Sequence, residues 1–367
     1  MEHRVKQIGI VTWFDTPNYG TTLQAYALFR ILRELGYAPC LIKRFQDPTS
    51  LRAVKDNLNA LLGIRRFWKY RPDPCPAKKR AIHRFCKEEL TVRSVVTKRD
   101  LDRLLKETSL FVCGSDQLWN CHDHFRPFEF LAFAGDVRRI SYATSLGARD
   151  IPPALEEPVR EYLSRFERIS VRESHSVELL SRLLGRDDIR RADDPTFLLT
   201  ARQWRQMAQR SAILPPQEPY LLCYLLKQDS EYPAVIDRLA RENGIGSIVI
   251  VPSGENPSLR IPGADIVQAG IREFVRLVDG AALVCTDSFH GIALSVNLSK
   301  DFIAFRRFCD RAPGSQNQRL YDLFDRLGLG NRFYADGPMA PIDYVTIQKR
   351  TAALREASLH FLKEALG

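Results

Sequence analysis

Residues 7–42, QIGIVTWFDTPNYGTTLQAYALFRILRELGYAPCLI, decide the fold class. QIGIVTWF is a short apolar run with β-branched residues, the signature of a strand. DTPNYG turns the chain. TTLQAYALFRILRELG sets apolar residues at helical spacing and stops at Gly36. APCLIKRF returns to strand. Strand, turn, helix and strand in that order open a parallel α/β sheet.

The alternation continues outward. SLFVCG (109–114), RRISYATSLG (138–147) and RISVRE (168–173) read as strands. Helices fit residues 51–62, 78–90 and 155–166, the first two flanking a proline-rich turn at 71–77. SHSVELLSRLLG reads as a helix capped by Ser174 and stopped by Gly185, and TARQWRQMAQRSA as a long helix. At 213–219, ILPPQEP places prolines among polar residues, as an interdomain linker does. Beyond it PYLLCYLL, SIVIV, ALVCT and DFIAF read as strands. PAVIDRLARENG, IREFVRLVDG and DSFHGIALSVNLS read as the helices between them, and residues 344–366 as one amphipathic helix. The expected fold is α/β, two Rossmann-like domains whose parallel sheets face a central cleft. An N-terminal domain at 1–212 would be joined to a second at 213–335, followed by a C-terminal helical segment at 336–367. Ligands of such sheets bind at the carboxyl ends of the strands, so the cleft is the expected site.

Composition excludes several classes. A chain of 367 residues with 45% hydrophobic and 27% charged residues is no disordered tail. No apolar run reaches the ~20 residues of a membrane span, and MEHRVKQIGIVTWFD lacks a signal-peptide core, so a cytoplasmic protein is expected. Eight cysteines without a CxxC pair read as reduced thiols. The net charge is +10, and residues 64–103 alone carry 13 basic and five acidic side chains. That segment reads either as a solvated face or as a peripheral contact with an anionic membrane surface at the inner face of the membrane. No nucleic-acid motif accompanies it, so nucleic acid is not an expected partner. Cys121-His122-Asp123-His124 lacks a second cluster at ligand spacing, so no metal site is expected.

Three strand-to-helix turns carry the candidate chemistry. In the first, Asn18, Tyr19 and Gly20 precede a helix whose free N–H groups suit an anion, and Gly20 would admit a ligand close to the backbone. In the second, Ser115, Asp116 and Gln117 follow SLFVCG, where a carboxylate can act as base or hold a sugar hydroxyl. In the third, Asp287, Ser288 and His290 follow ALVCT, placing an imidazole in the first turn of a helix. Each turn also reads as an ordinary cap. Arg172, Arg306, Arg307 and Arg319 lie near strand ends, where a guanidinium fork can hold carboxylate or phosphate.

NYGTTLQAYAL, GSDQLWN, SYATSLG, ISVRE, DDPTFLL and TDSFHG, in this order, resemble the polysaccharide pyruvyl transferase family over residues 8–329. The resemblance implies a glycosyltransferase-B-type protein. It would transfer the enolpyruvyl carbons of phosphoenolpyruvate to two hydroxyls of a sugar or lipid-linked glycan in a surface polysaccharide or exopolysaccharide, without metal or cofactor. It also implies that His290 is the catalytic acid, that Asp116 accepts the hydroxyl proton, and that Arg172, Arg306 and Arg319 bind the donor. Some relatives carry Arg-Leu-His where this chain has Ser288-Phe289-His290, so Arg306 or Arg319 would stand in for that arginine. A sugar-nucleotide glycosyltransferase of the same architecture, with Glu255 on a ribose, is the alternative. A non-catalytic module binding anionic glycans or membrane is the third.

Overall fold

The computed structural model describes residues 6–62, 75–309, 316–335 and 339–367. Part of the basic segment, residues 63–74, lies outside them, as does most of the proline-rich turn.

The opening stretch folds as β1 (Gln7–Val11), α1 (Tyr19–Glu34) and β2 (Ala38–Ile42). There follow α2 (Leu51–Leu61), α3 (Pro76–Glu89), β3 (Val92–Arg93), α4 (Lys98–Glu107), β4 (Thr108–Cys113) and β5 (Arg138–Ser141). The five strands run parallel in the order β3-β2-β1-β4-β5. Next come α5 (Pro153–Leu163), β6 (Ser170–Val171), α6 (Ser174–Leu184), β7 (Arg190–Arg191) and α7 (Ala201–Ala208). β6 and β7 pair in parallel, and bridges from Ile140 to Arg168 and from Thr144 to Val171 carry the sheet past β5.

After residues 213–219 the second unit begins. It comprises β8 (Tyr220–Tyr224), α8 (Tyr232–Glu242), β9 (Ser247–Ile250), β10 (Asp265–Ile266), α9 (Ile271–Gly280) and β11 (Leu283–Thr286). It ends with α10 (Phe289–Leu298), β12 (Phe302–Ala304) and α11 (Gln318–Leu327). Its strands are parallel in the order β10-β9-β8-β11-β12. Counted within each unit, both sheets have the order 3-2-1-4-5. The central strands are buried along nearly their whole length, because helices cover both faces.

α12 (Tyr344–Leu366) packs on α10 and on the turn Pro195–Phe197. The units meet through α1, α3 and α7 on one side and α9 and α10 on the other. One hydrophobic cluster spans this junction, taking in Leu23, Phe85, Trp204, Phe274, Ile292 and Leu362. Tyr19 lies inside it. Its ring stacks on Phe274 with centroids 4.2 Å apart, and its hydroxyl donates to the Ala269 carbonyl at 2.6 Å. The buried Lys78 Nζ sits 3.8 Å from the Tyr19 ring centroid and donates to the Pro252 carbonyl, adding a cation–π contact across the junction.

Two local readings change. Ser174 is the first residue of α6 rather than its cap, and its Oγ donates to Asp322 at 2.8 Å. The helix expected over TARQWRQMAQRSA ends early, at Ala208. All eight cysteines are free, and only Cys309 is exposed. Among the described residues no helix is long and apolar enough to cross a membrane.

Candidate active site

β11 ends at Thr286, and Asp287 and Ser288 turn the chain into α10. Ser288 caps the helix, its Oγ accepting from the Gly291 N–H at 3.3 Å. This start places His290 in the first turn, where its ring crosses the junction onto α1. A Cβ built on Gly20 would lie 2.0 Å from His290 Nδ1, so only glycine leaves room for the ring. The sequence reading gave that space to a ligand; the imidazole fills it instead.

The other ring nitrogen, Nε2, lies 3.3 Å from Asp194 Oδ2. Asp194 is fully buried and organises the site. Its Oδ2 accepts from Arg172 Nη1 at 2.8 Å and from Ser115 Oγ at 3.2 Å. Its Oδ1 accepts from the Thr196 N–H at 3.0 Å and from Thr196 Oγ1 at 2.8 Å. Burial acts to raise the Asp194 pKa. The charges of His290 and Arg172, with the Thr196 N–H, outweigh burial and hold the carboxyl well below the usual carboxylate range. His290 and Arg172 thus share one carboxylate, although 118 positions separate them in the chain.

Arg172 follows β6, and Glu173 beside it accepts from Arg172 Nε and from Ser145 Oγ. Burial works against the Arg172 charge, and Glu173, Asp194 and Asp116 more than restore it. Arg319, on α11 of the second unit, comes to the same place. The guanidinium carbons of Arg172 and Arg319 lie 4.6 Å and 5.7 Å from the Phe289 ring centroid. Burial, reinforced by the charge of Arg172, pushes Arg319 down to about 10, with Asp116 offsetting only part of this. Arg172 Nη2 and Arg319 Nε are buried without a hydrogen-bond partner. Two cations whose charge burial penalises, each with an unmet donor, can answer an anion. Asp116 holds φ at +74°, the left-handed region, and accepts from the Gln117 N–H at 3.0 Å.

Ser115 belongs to this network, and the other sequence candidates fall elsewhere. Tyr19 is part of the junction core, and Asn18 caps α1, accepting from the Gly20 N–H at 2.9 Å. Ser115 is fully buried and also donates to the Ala143 carbonyl. Gln117 reaches across the cleft to Gln316 at 2.9 Å. Asp287, expected on substrate, spends both oxygens on the backbone N–H groups of Leu226 and Lys227, each at 2.7 Å. It therefore fixes the loop after β8. Arg306, expected on donor, is exposed with its guanidinium 4.5 Å from the Phe333 ring centroid. Arg307 is the member of that pair whose charge reaches Arg319 and Asp287. It pairs with Glu255, the ribose candidate of the alternative reading, whose carboxylate is thereby engaged. His122 pairs with Asp150 and His124 with Glu129, so the two histidines serve separate partners.

Asp194, Glu173 and Phe289 escaped the sequence reading. DDPTFLL was noted as a motif, and its Asp-Pro-Thr core signals a carboxylate turned back on the chain, but nothing local shows what else that carboxylate holds.

No curated protein matches the chain by sequence. Solved structures share the fold at low identity. A UDP-GlcNAc 2-epimerase from Neisseria meningitidis, solved with UDP-GlcNAc, has a TM-score of 0.50 and 14% identity, covering 98% of this chain and 94% of its own. Another UDP-N-acetylglucosamine 2-epimerase gives a TM-score of 0.50 and 13% identity over 99% of this chain and 95% of its own. The glycosyltransferase SnogD from Streptomyces nogalater gives 0.46 and 12% over 99% and 100%. The architecture is glycosyltransferase-B-like, and fold alone does not name a reaction. The sequence carries more: the polysaccharide pyruvyl transferase model matches residues 18–307, from the cap of α1 past the His290 turn to Arg307. That stretch holds Asp116, Arg172, Asp194 and His290, and the chain belongs to the polysaccharide pyruvyl transferase family.

Proposed function

We propose that this transferase moves the enolpyruvyl group of phosphoenolpyruvate onto two hydroxyls of a sugar, forming a pyruvate ketal in a surface polysaccharide or exopolysaccharide. The observation that carries this reading is the buried Arg172 guanidinium on the carboxylate that His290 also meets, with the half-buried Arg319 over the adjacent Phe289 ring, each keeping one buried donor without a partner. Phosphoenolpyruvate brings a carboxylate and a phosphate, and such donors answer them.

His290 Nε2 faces the Arg172–Asp194 side while Nδ1 backs onto Gly20, so Nε2 is the atom that delivers a proton. The proton goes to the terminal methylene carbon of the donor. The adjacent carbon becomes oxocarbenium-like, and a sugar hydroxyl adds to it, losing its proton to Asp116. The C–O bond to phosphate then breaks, and the second hydroxyl closes the ketal. Of the two hydroxyl protons, one replaces the proton spent on the methylene and the other leaves with phosphate. Asp194 Oδ2 meets both His290 Nε2 and Arg172 Nη1 and so holds the ring and the guanidinium in register. The scheme needs no metal and no nucleotide. It places the enzyme in the cytoplasm, where the donor is made, with a sugar or lipid-linked glycan as partner and an optional peripheral contact with the anionic membrane surface.

Melting in the presence of ligands tests the reading, since only a molecule that binds the folded state raises the melting temperature. Phosphoenolpyruvate raises it, and UDP- and GDP-sugars do not. The reverse result would support the sugar-nucleotide enzyme and overturn the proposal. His290→Ala keeps the phosphoenolpyruvate shift and loses roughly 10²-fold or more in turnover.

A further inference from the structure

A second cavity, of about 350 Å³, opens at the carboxyl edge of the first sheet. Its size falls among small-molecule sites, which run from about 300 to 1,000 Å³. It is lined by Thr12 and Trp13 after β1, by Lys43 and Arg44 after β2, and by Arg126, Phe128 and Glu129 from the segment between β4 and β5. Nothing in the chemistry above uses it.

The wall is built. Trp13 Nε1 donates to Glu129 Oε1 at 2.9 Å, fixing the indole. Phe128 is fixed by a near-parallel contact with Phe133, centroids 5.2 Å apart. The carboxylates on the wall are already answered. Glu129 is held by Trp13, by His124 at 2.9 Å and by Arg126 at 3.1 Å, and Asp15 by His83 at 2.9 Å. Lys43, Arg44 and Arg126 stand against only two lining carboxylates, Asp15 and Glu129, so the cavity wall carries excess positive charge beside aromatic faces. The cavity also adjoins the His290 site. Thr12 Oγ1 donates to the Ser115 carbonyl, and Thr16 on the wall bonds through its hydroxyl to Thr21, next to the Gly20 that supports His290.

We propose that this cavity binds the acceptor and that the acceptor is a phosphorylated saccharide. The apolar face of the sugar lies on Trp13 and Phe128, and Lys43 and Arg44 hold the phosphate. Two adjacent cations suit a multiply charged phosphate better than a single carboxylate. The inference rests on the proposed function, because it supplies that reaction's second substrate.

The test is binding to the full-length protein without phosphoenolpyruvate, by calorimetry, using glucose, glucuronate and glucose 1-phosphate. Glucose 1-phosphate binds at least tenfold more tightly than the other two. A Lys43→Glu/Arg44→Glu variant, which alters side chains outside the donor site, loses that preference and keeps the phosphoenolpyruvate-induced rise in melting temperature. A saccharide carried on a short polyprenyl pyrophosphate is the second arm; tighter binding than glucose 1-phosphate assigns the phosphate to a lipid carrier, and equal binding to a soluble sugar phosphate. Equal affinity for glucose and glucose 1-phosphate, or a preference that survives the double charge reversal, overturns the inference. Either outcome with the phosphoenolpyruvate shift intact leaves the donor reading standing. Absence of that shift in the unaltered protein refutes the donor reading instead.

Discussion

Gly20→Ala puts the arrangement at the junction under direct strain. The new Cβ would sit 2.0 Å from His290 Nδ1, 2.5 Å from Cγ and 2.9 Å from Cε1, whereas ordinary contacts begin at 3.4 Å. The imidazole must therefore retreat by about 1.4 Å or α1 must move away. Retreat is blocked, because Asp194 Oδ2 stands 3.3 Å from the ring's opposite nitrogen. Overpacking of this kind costs about 1–3 kcal/mol, and alanine's better helix propensity returns roughly 0.5–1 kcal/mol, leaving a net loss on the order of 1–2 kcal/mol. A catalytic group displaced by about 1 Å loses roughly 10²-fold in rate. Melting and phosphate release measure the two effects. Gly246→Ala, whose Cβ would meet nothing within 4 Å, is the control and stays near wild type. In a His290→Ala background the collision partner is gone, so Gly20→Ala keeps only the propensity gain, and the double-mutant cycle shows coupling of about 1–3 kcal/mol, the whole overpacking cost. A Gly20→Ala protein with unaltered melting and turnover, or with the same stability cost whether or not His290 is present, refutes the packing argument.

Three further substitutions separate the roles of the buried charges. Arg319→Met removes a cation whose charge burial penalises; the unliganded protein melts at the same or a higher temperature, while affinity for phosphoenolpyruvate falls roughly ten- to a hundredfold, the worth of a charge-assisted hydrogen bond. A fall in both stability and affinity would mark Arg319 as structural. Asp194→Asn leaves Arg172 and His290 without their shared charge and costs about 3–5 kcal/mol at neutral pH. The Asp194 pKa is lowered on folding, so its contribution is fully present above the unfolded value of about 4 and is lost as pH falls below it. The wild-type melting temperature therefore drops more steeply below about pH 4 than that of Asp194→Asn, and parallel curves would contradict this. Asp287→Ala strands the Leu226 and Lys227 N–H groups and destabilises by on the order of 3 kcal/mol in chemical denaturation; unchanged stability would show that the loop re-pairs with water.

The sequence exposed what depends on local periodicity. The strand–helix–strand reading of residues 7–42 holds because β1, α1 and β2 each carry their pattern within a few residues. His290 was legible for the same reason, since a strand end followed by a capping serine sets its position. What was not legible depends on contacts across the chain. Asp194 reads locally as a cap for Thr196, and its hold on Arg172 and His290 exists only once β6 and α10 are brought together. Asp287 and Tyr19 sit in site-like turns yet face inward, toward the β8 loop and the junction core. Arg306 and Arg307 are neighbours after β12, and the backbone there, not the composition, sends Arg306 to Phe333 and the Arg307 charge toward Arg319. Gly20 reads in sequence as a place for a ligand, and nothing local shows that a histidine 270 positions later occupies the space.

In the proposed reaction His290, with Arg172 on the same Asp194 carboxylate and Arg319 over the neighbouring Phe289 ring, protonates phosphoenolpyruvate so that a sugar diol can capture its three carbons. Incubating the protein with phosphoenolpyruvate and a panel of phosphorylated and neutral saccharides, and reading phosphate release together with acceptor mass, tests it in one assay. One phosphate appears for each acceptor that gains the mass of pyruvic acid less one water, and both signals are lost in His290→Ala. Phosphate released with free pyruvate and no gain in acceptor mass, or the same yield from His290→Ala, would contradict it.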